Sequence, residues 1–466
     1  MFLSGRVLPY GTELKIASPW DGSIVGTVPS DTAEQVDEAV AVVKARRRAL
    51  TAEQRSAVLH RSAELLGQRA DDFASLITSE SGVCIRETRR EVERARRNLT
   101  VAAEEAGRLK GESIPIPGHD RIALTVHEPA GIVAAITPYN RPLNQVVVKV
   151  APAIATGCAI ILKPSEKTPL TALAFAAVLA EAGLPGENLA VTTGEPAVVG
   201  PVLAGHPDVD LVTFTGGIAT GRRVAAAAAG KKVLLELGGN DPLIVLPDAD
   251  LGLAVKLAVS GAFSTAGQSC RGVKRIIAVG GIADALAESI ASRAGSLVAG
   301  DPRDPKTDLG PLISVGAAKL VADRIAAAIA SGAVLLAGGE RAGALMRPAV
   351  LDRVPAGAEL VVEETFGPVA PVIRVDSVAA ALEVANSTVY GLQAGVVTRD
   401  MDSFWHIAGN LRVGAVHLGE GPQFDSPHIP FGGVKASGVG REGIKYAMRE
   451  MTTVKTISVP YPTAAP

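Results

Sequence analysis

Apolar residues follow helical spacing early in the chain and strand-like runs further on. Between Ala33 and about Arg108, segments such as AEQVDEAVAVVKARRRAL and RSAVLHRSAELLGQRADDFASLITSESG predict helices. From Gly131, short apolar runs alternate with helical patterns. The runs are IVAAITP, AIILKP, LAVTTG, DLVTFTG and KVLLELGG, and the helices include NQVVVKVAPAIATG, PLTALAFAAVLAEAG and residues 217–229. Apolar strands joined by helical crossovers predict a parallel sheet covered on both faces.

A second series of the same kind begins after Gly239. It contains LIVL, a helix from Leu251 to Ala266, RIIAVG, a helix near 283–298, AVLLAGG, LVVEETFGP, PVIRV, a helix over 378–386, LQAGVV and VGAVHL. The sequence therefore predicts an α/β fold with a second α/β domain. Two further segments, RIALTVH (121–127) and TTVKTISV (452–459), alternate like half-exposed strands. We expect them to share a small sheet that pairs with another subunit.

Composition narrows the functional classes. The chain of 466 residues is too long for one compact core. Its 46 basic and 48 acidic residues give a net charge of -2, so no general field attracts nucleic acid or an anionic membrane. The longest apolar stretch, from Val146 to Leu162, is too short to span a bilayer, and MFLSGRVLPY has no signal-peptide pattern. Three widely spaced cysteines make no disulfide framework and favour a reducing cytoplasm, and no metal site is predicted.

Three residues lie where enzymes keep reactive groups. Cys270 ends the turn GQSC, where a thiolate could reach a ligand, although a buried structural cysteine fits equally well. Glu236 ends an apolar strand in LELGGN, so its carboxylate should have a raised pKa suited to a general base; a surface glutamate is the alternative. Asn140 in ITPYNRP could donate to an oxyanion, but alone it is better explained as a turn residue. Cys84 and Cys158 lie in apolar settings and are interpreted as structural.

Two segments could bind a dinucleotide. Lys163 and Glu166 in ILKPSE follow a strand, and together they could bind ribose hydroxyls. FTGG (214–217) opens a helix whose first amides could meet a pyrophosphate. No GxGxxG follows a strand, so the usual dinucleotide fingerprint is absent from the sequence.

Each of these motifs alone is weak evidence of function, but their order along the chain is specific. The order PYN, KPSE, FTGG, LELGGN, GQSC, EETFGP and PFGGVKASG resembles the aldehyde dehydrogenase superfamily. The resemblance implies a Rossmann-like cofactor domain, an α/β catalytic domain and a small oligomerisation β-sheet. The implied ranges are 1–118 with 130–238 for NAD binding, 239–420 for catalysis, and 119–129 with 447–466 for self-association as a homodimer or homotetramer.

The resemblance also implies roles for individual residues. Cys270 matches the nucleophile, Asn140 the oxyanion donor and Glu236 the general base for thioester hydrolysis. NAD is the implied cofactor, with NADP as a possibility. The implied cofactor-binding residues are Ile136, Thr137, Pro138, Tyr139, Lys163, Ser165, Glu166, Gly194, Phe214, Thr215, Gly216, Gly217, Thr220, Leu237, Glu364 and Phe366. A catalytically idle binding protein is the alternative class, and the intact catalytic positions argue against it.

Within the superfamily, the sequence is most similar to phosphonoacetaldehyde dehydrogenases, through segments such as SGVCIRETRREVERA and TPYNRPLNQVVVKVAPAIATG. Arg94 falls where those enzymes hold an anion, and Arg141 and Arg271 each adjoin a catalytic position. Asp425 stands about where a further anion-binding arginine is expected. The resemblance implies a small anionic aldehyde such as phosphonoacetaldehyde or phosphonoformaldehyde. The alternatives are lactaldehyde, succinate semialdehyde, sulfoacetaldehyde and glyceraldehyde-3-phosphate.

Overall fold

A parallel sheet forms the centre of the first part of the fold. The computed structural model describes residues 1–3, 5–8 and 12–461. In spatial order, the described strands of this sheet are Arg6–Val7, Phe2–Leu3, Leu189–Val191, Ala159–Lys163, Ile132–Ile136, Leu211–Thr215, Lys232–Glu236 and Gly438–Val439. The strands from 132 to 236 run parallel to one another, whereas the short outer strands are antiparallel. Every residue of Ile132–Ile136 is buried, as expected for a strand covered on both faces.

Helices cover the two faces of this sheet. Along Ile132–Ile136, alternate side chains enter different cores because successive residues of a strand face opposite ways. The helices on one face are Ala52–Gln68, Ala70–Ser81, Ile85–Glu105, Asn144–Thr156, Pro169–Glu181 and Ile444–Glu450. Those on the other are Ala33–Arg46, Pro196–Gly205 and Ile218–Ala227.

The second sheet repeats the same plan. Its described strands, in spatial order, are Val334–Ala337, Ala349–Asp352, Val369–Val375, Val273–Val279, Asp241–Val245, Gln393–Val397 and Ala415–Leu418. The surrounding helices are Leu251–Phe263, Ala283–Gly295, Val315–Ala330, Glu359–Val362, Val378–Asn386 and Met401–Asn410. The two sheets account for the two α/β series of the sequence, except that LVVEETFGP begins within the short helix Glu359–Val362 and forms no strand.

A smaller sheet lies at the edge of the fold. Thr452–Pro460 pairs antiparallel with Arg121–Pro129, which also pairs with Ser113–Pro115. A two-stranded hairpin of Glu13–Ala17 and Ile24–Pro29, and a short pair of Arg341–Ala342 and Leu345–Met346, complete the described strands. No helix among the described residues is long and apolar enough to cross a membrane.

The structure changes several predicted boundaries. Ser113–Pro115 belongs to the small sheet, although its residues fall in the range expected for NAD binding. Residues 447–450 of the expected oligomerisation segment complete Ile444–Glu450, while 462–466 lie outside the described residues. The helix expected to reach Ala266 ends at Phe263 because Thr265 and Ala266 have positive φ values of 52°.

Arg275 offers a test of how the second sheet is stabilised. It is only 2% exposed and donates to the carbonyls of Asn240, Val384 and Ala385. Arg275→Met would leave three carbonyls without that donor, so we expect a loss of about 3 kcal/mol or more. Differential scanning calorimetry should show a clear fall in Tm for Arg275→Met and little change for the exposed Arg293→Met. Equal melting of the two variants would contradict this account.

Candidate active site

The carboxyl ends of the parallel strands bring the predicted motifs to one edge of the first sheet. Ile136 pairs with Lys163 on one side and with Phe214 on the other, and Thr215 pairs with Glu236. Ligands of open α/β sheets bind at this edge. The alignment follows from the parallel register, which places these strand ends side by side.

Cys270 lies on a turn where three motif segments meet without room for additional side chains. A Cβ on Gly239 would come within 2.1 Å of the Cys270 carbonyl oxygen. A Cβ on Gly267 would come within 2.0 Å of the Gly367 carbonyl oxygen, and Gly267 has a positive φ of 71°. Glycine at both positions therefore allows LELGGN and EETFGP to approach GQSC.

Burial controls the ionisation of the candidate nucleophile. Desolvation raises the pKa of Cys270 to about 12; Arg271 opposes the rise, and Glu364, Asp241 and Glu236 add to it. The side chain is therefore a thiol at neutral pH and must lose a proton before it can attack. Cys84 and Cys158 are buried at 4% and 2% exposure, consistent with the structural interpretation.

Glu236 is a buried carboxyl group with unused hydrogen-bonding capacity. It is 2% exposed, and neither side-chain oxygen has a hydrogen-bond partner among the described residues. Burial raises its pKa well above the ordinary value, Glu442 raises it further, and Lys149 and Arg441 oppose the rise. A buried carboxylate with free oxygens can accept a proton from water.

Asn140 is held close to the nucleophile turn. It is 7% exposed, and its side-chain amide donates to the Gln268 carbonyl over 2.9 Å. Gln268 is anchored in turn by accepting from the Ile313 backbone amide at 2.9 Å. Because a side-chain amide carries two N–H groups, Asn140 keeps one for a second acceptor.

The ribose candidates lie at the neighbouring strand ends. Lys163 is buried at 3% exposure, and burial lowers its pKa while Glu166 and Glu195 oppose the change. Ser165 donates to Glu166 over 3.3 Å. Glu195 was not predicted from the sequence. The helix Pro169–Glu181 and the strand Leu189–Val191 separate it from KPSE, and it belongs to no recognisable motif. Gly194, just before it, has a positive φ of 146°.

The FTGG turn fits a pyrophosphate group. Gly217 is the N-cap of the ten-residue helix Ile218–Ala227 and provides no side-chain cap, so the first helical amides are available to a ligand. A Cβ on Gly217 would have no neighbour within 4 Å, which leaves open space beside it. Thr220 is exposed on the first turn, and the buried Thr215 hydroxyl has no partner among the described residues.

The EETFGP segment faces the nucleophile turn. Glu364 accepts from the Gly239 amide over 3.3 Å, and burial raises its pKa to about 7 although Lys274 opposes the rise. The Phe366 ring lies 6.2 Å from that of Tyr139 in an edge-to-face arrangement, with the Lys274 ammonium 5.2 Å from its centroid. Lys274 was not predicted from the sequence. The remaining predicted cofactor contacts, Thr137, Pro138, Gly216 and Leu237, lie just beyond the strand ends.

A cleft joins the catalytic and substrate candidates. Its lining includes Asn140, Cys270 and the three predicted arginines, Arg94, Arg141 and Arg271. Other lining residues are Asn98, Asn144, Gln145, Val148, Ser269, Asp425, Ser426, Pro427, Phe431, Glu442, Gly443 and Ile444. The arginines therefore border the same space as the thiol.

Two acidic residues line the cleft. Asp425 contacts Arg271 at 3.0 Å and Arg94 at 3.5 Å. Glu442 forms a buried ion pair with Lys149. Sequence reasoning assigned neither pair, and the only signal for Asp425 was its place near an expected arginine.

Known proteins with similar sequences support these observations. The aldehyde dehydrogenase family matches residues 9–457. The chain is 38% identical to a sulfoacetaldehyde dehydrogenase of Neptuniibacter caesariensis, over 95% of this chain and 99% of that protein. It is 37% identical to a 3-sulfolactaldehyde dehydrogenase of Priestia aryabhattai, over 98% of this chain and 97% of that protein.

A solved structure of another dehydrogenase also matches this chain in fold and sequence. The structure of the glyceraldehyde-3-phosphate dehydrogenase GapN from Methanocaldococcus jannaschii, complexed with NADP, matches with a TM-score of 0.93 and 37% identity. The match covers 96% of this chain and 99% of that chain. The protein therefore belongs to the aldehyde dehydrogenase family, a family of oxidoreductases, and has its fold.

Proposed function

We propose that the protein oxidises a short aldehyde with an anionic head group, a sulfonate being the first candidate, to the carboxylate. The observation that carries this proposal is the cleft in which three arginines surround the space beside Cys270. Guanidinium groups bind tetrahedral oxyanions through paired hydrogen bonds. The relatives named for sulfoacetaldehyde and 3-sulfolactaldehyde favour the sulfonate alternative over the phosphonate interpretation of the sequence.

In the first stage of the reaction, Cys270 acts as the nucleophile. After the thiol loses its proton, its sulfur bonds to the aldehyde carbon, and the Asn140 amide stabilises the resulting alkoxide. The carbon then gives up a hydride, for which a bound nicotinamide ring is the acceptor. The product of this stage is a thioester on Cys270.

Glu236 acts in the second stage. Its buried carboxylate takes a proton from water as the water oxygen attacks the thioester carbon. The bond to sulfur breaks, the carboxylate product leaves, and the thiolate is restored. The two free oxygens of Glu236 support this role.

The strand-end edge holds the dinucleotide in this proposal. Lys163 and Glu166 bind the adenosine ribose, and the first amides of Ile218–Ala227 bind the pyrophosphate. Glu364 and Phe366 lie on the side toward Cys270 and contact the nicotinamide half. We expect NAD, with NADP as the alternative supported by the NADP complex of the GapN relative.

Self-association is proposed through the small sheet. Strand Thr452–Pro460 is an edge strand with exposed apolar side chains, including Val454 at 62% and Ile457 at 43%. Exposed apolar edge strands favour pairing with another chain. A second copy of the protein is the proposed partner.

Arginine substitutions test the proposed substrate class. Arg141→Ala should lose activity toward sulfoacetaldehyde much more than toward neutral propanal. Losing one charged contact in a desolvated pocket should cost about 2–5 kcal/mol. That corresponds to roughly tenfold to several-thousandfold in kcat/KM, since each 1.4 kcal/mol is about tenfold. Arg271→Ala should behave in the same direction.

Arg89→Ala is the control, because Arg89 is exposed on the helix Ile85–Glu105, which also carries Arg94, and it pairs with Asp71 at 2.9 Å outside the cleft. It should leave both activities unchanged. The proposal fails if the wild type uses propanal as well as sulfoacetaldehyde. It also fails if Arg141→Ala loses both activities equally, which would make the arginine a support for the Asn140 turn.

A further inference from the structure

The two acidic side chains of the cleft contact different partners. Glu442 is buried at 3% exposure and is neutralised by Lys149. The Asp425 side chain is 27% exposed, and one of its oxygens lies within ion-pair distance of both Arg271 and Arg94. Asp425 is thus a negative charge inside the group of arginines that faces the substrate space.

Asp425 changes the charge that an incoming head group meets. Burial raises its pKa, but Arg271 and Arg94 outweigh that effect and hold the pKa below its ordinary value, so the group is ionised at neutral pH. The three arginines and Asp425 together carry a net charge of +2. Among the described residues, Arg141 has no ion-pair partner within 4 Å and is the arginine most available to a ligand.

We propose that Asp425 is a specificity-determining residue that disfavours head groups with two negative charges relative to head groups with one. Sulfonate and phosphonate groups are both tetrahedral and similar in size, so shape alone discriminates poorly between them. Sulfonate carries one charge at neutral pH, whereas phosphonate carries up to two. An oxygen bound to another edge of the Arg271 guanidinium would still be repelled by the Asp425 carboxylate, because like charges interact across several ångströms. This inference rests on the proposed function, because it assumes that the head group enters the arginine-lined cleft.

Asp425→Asn tests the inference, because asparagine keeps the shape and an acceptor oxygen for Arg271 but removes the charge. The experiment measures kcat/KM for sulfoacetaldehyde and phosphonoacetaldehyde at pH 8, with purified full-length protein and saturating NAD. The wild type should prefer sulfoacetaldehyde. In Asp425→Asn, the ratio of phosphonoacetaldehyde to sulfoacetaldehyde activity should rise at least about tenfold, as expected from removing one nearby like charge.

Two further variants separate selectivity from structural support. Asp71→Asn removes the carboxylate that pairs with the exposed Arg89, outside the cleft, and should leave the ratio unchanged. Asp425→Ala removes both the charge and the acceptor, and it should raise the same ratio even if overall activity falls. A relative gain on one substrate is not produced by misfolding, which lowers both activities together.

The outcomes distinguish this inference from the proposed function. If the wild type prefers sulfoacetaldehyde to propanal but the ratio stays unchanged in Asp425→Asn, the inference is overturned while the proposed function stands. The same conclusion follows if Asp425→Ala loses both activities and Asp425→Asn keeps both with an unchanged ratio, since Asp425 would then only position Arg271. If the wild type shows no preference for anionic aldehydes, the proposed function itself fails.

Discussion

Cys270→Ala should lower the rate of NADH formation by on the order of 10⁴-fold or more, because removing a covalent nucleophile eliminates the whole two-stage path. Cofactor binding should persist, since the residues proposed to bind the dinucleotide lie mainly at the strand ends of the first sheet. Steady-state kinetics measures the first effect, and fluorescence titration with NADH measures the second.

Cys158→Ala is the matched control for this variant. Cys158 precedes strand Ala159–Lys163, at the opposite end of the strand from Lys163, and donates to the Met451 carbonyl outside the cleft. It should keep wild-type kcat/KM, with at most a lower Tm. Comparable turnover by Cys270→Ala and the wild type would show that another group is the nucleophile.

Glu236→Gln should form NADH in one burst and then nearly stop. Hydride transfer needs no base at this position, whereas thioester hydrolysis does, and the amide cannot accept a proton from water. General-base catalysis contributes about 10²–10⁴-fold, so steady turnover should fall by that factor. Stopped-flow absorbance should show a burst close to one NADH per active site. A variant that turns over steadily at the wild-type rate would contradict the assignment.

The pH dependence of thioester hydrolysis in the wild type follows from the burial of Glu236. Glu236 acts in its deprotonated form, and desolvation raises its pKa well above the ordinary value. The hydrolysis rate should therefore increase as pH rises through that raised pKa and decrease as pH falls. Glu236→Gln should lose this rise in the hydrolysis step.

The regular parts of the fold could be predicted because their patterns are local. Continuous apolar runs predicted the central strands, and the structure confirms them. The helix Pro196–Gly205 was not predicted because it contains Pro201, which sequence rules treat as a helix breaker. Val315–Ala330 was also missed, although Ser314 caps it by accepting from the Ala317 amide. That cap was a usable sequence signal.

The sequence likewise predicts one part of the candidate site and not another. The meeting of Lys163, Thr215 and Glu236 followed from the parallel register of their strands. The orientation of Arg141 and Arg271 did not, because adjacent residues on a turn can point apart. The Arg271–Asp425 contact joins residues 154 positions apart, and no local pattern encodes it. Only the three-dimensional path of the chain brings the loop of Asp425 into contact with the turn that carries Cys270 and Arg271.

Mass spectrometry of Glu236→Gln, quenched in acid after one turnover with sulfoacetaldehyde and NAD, shows whether Cys270 is the covalent nucleophile. The peptide containing Cys270 should carry the sulfoacetyl group as a thioester, and the peptides containing Cys84 and Cys158 should remain unmodified. NADH formation without an adduct on Cys270, or with the adduct on another residue, would show that Cys270 does not form the thioester.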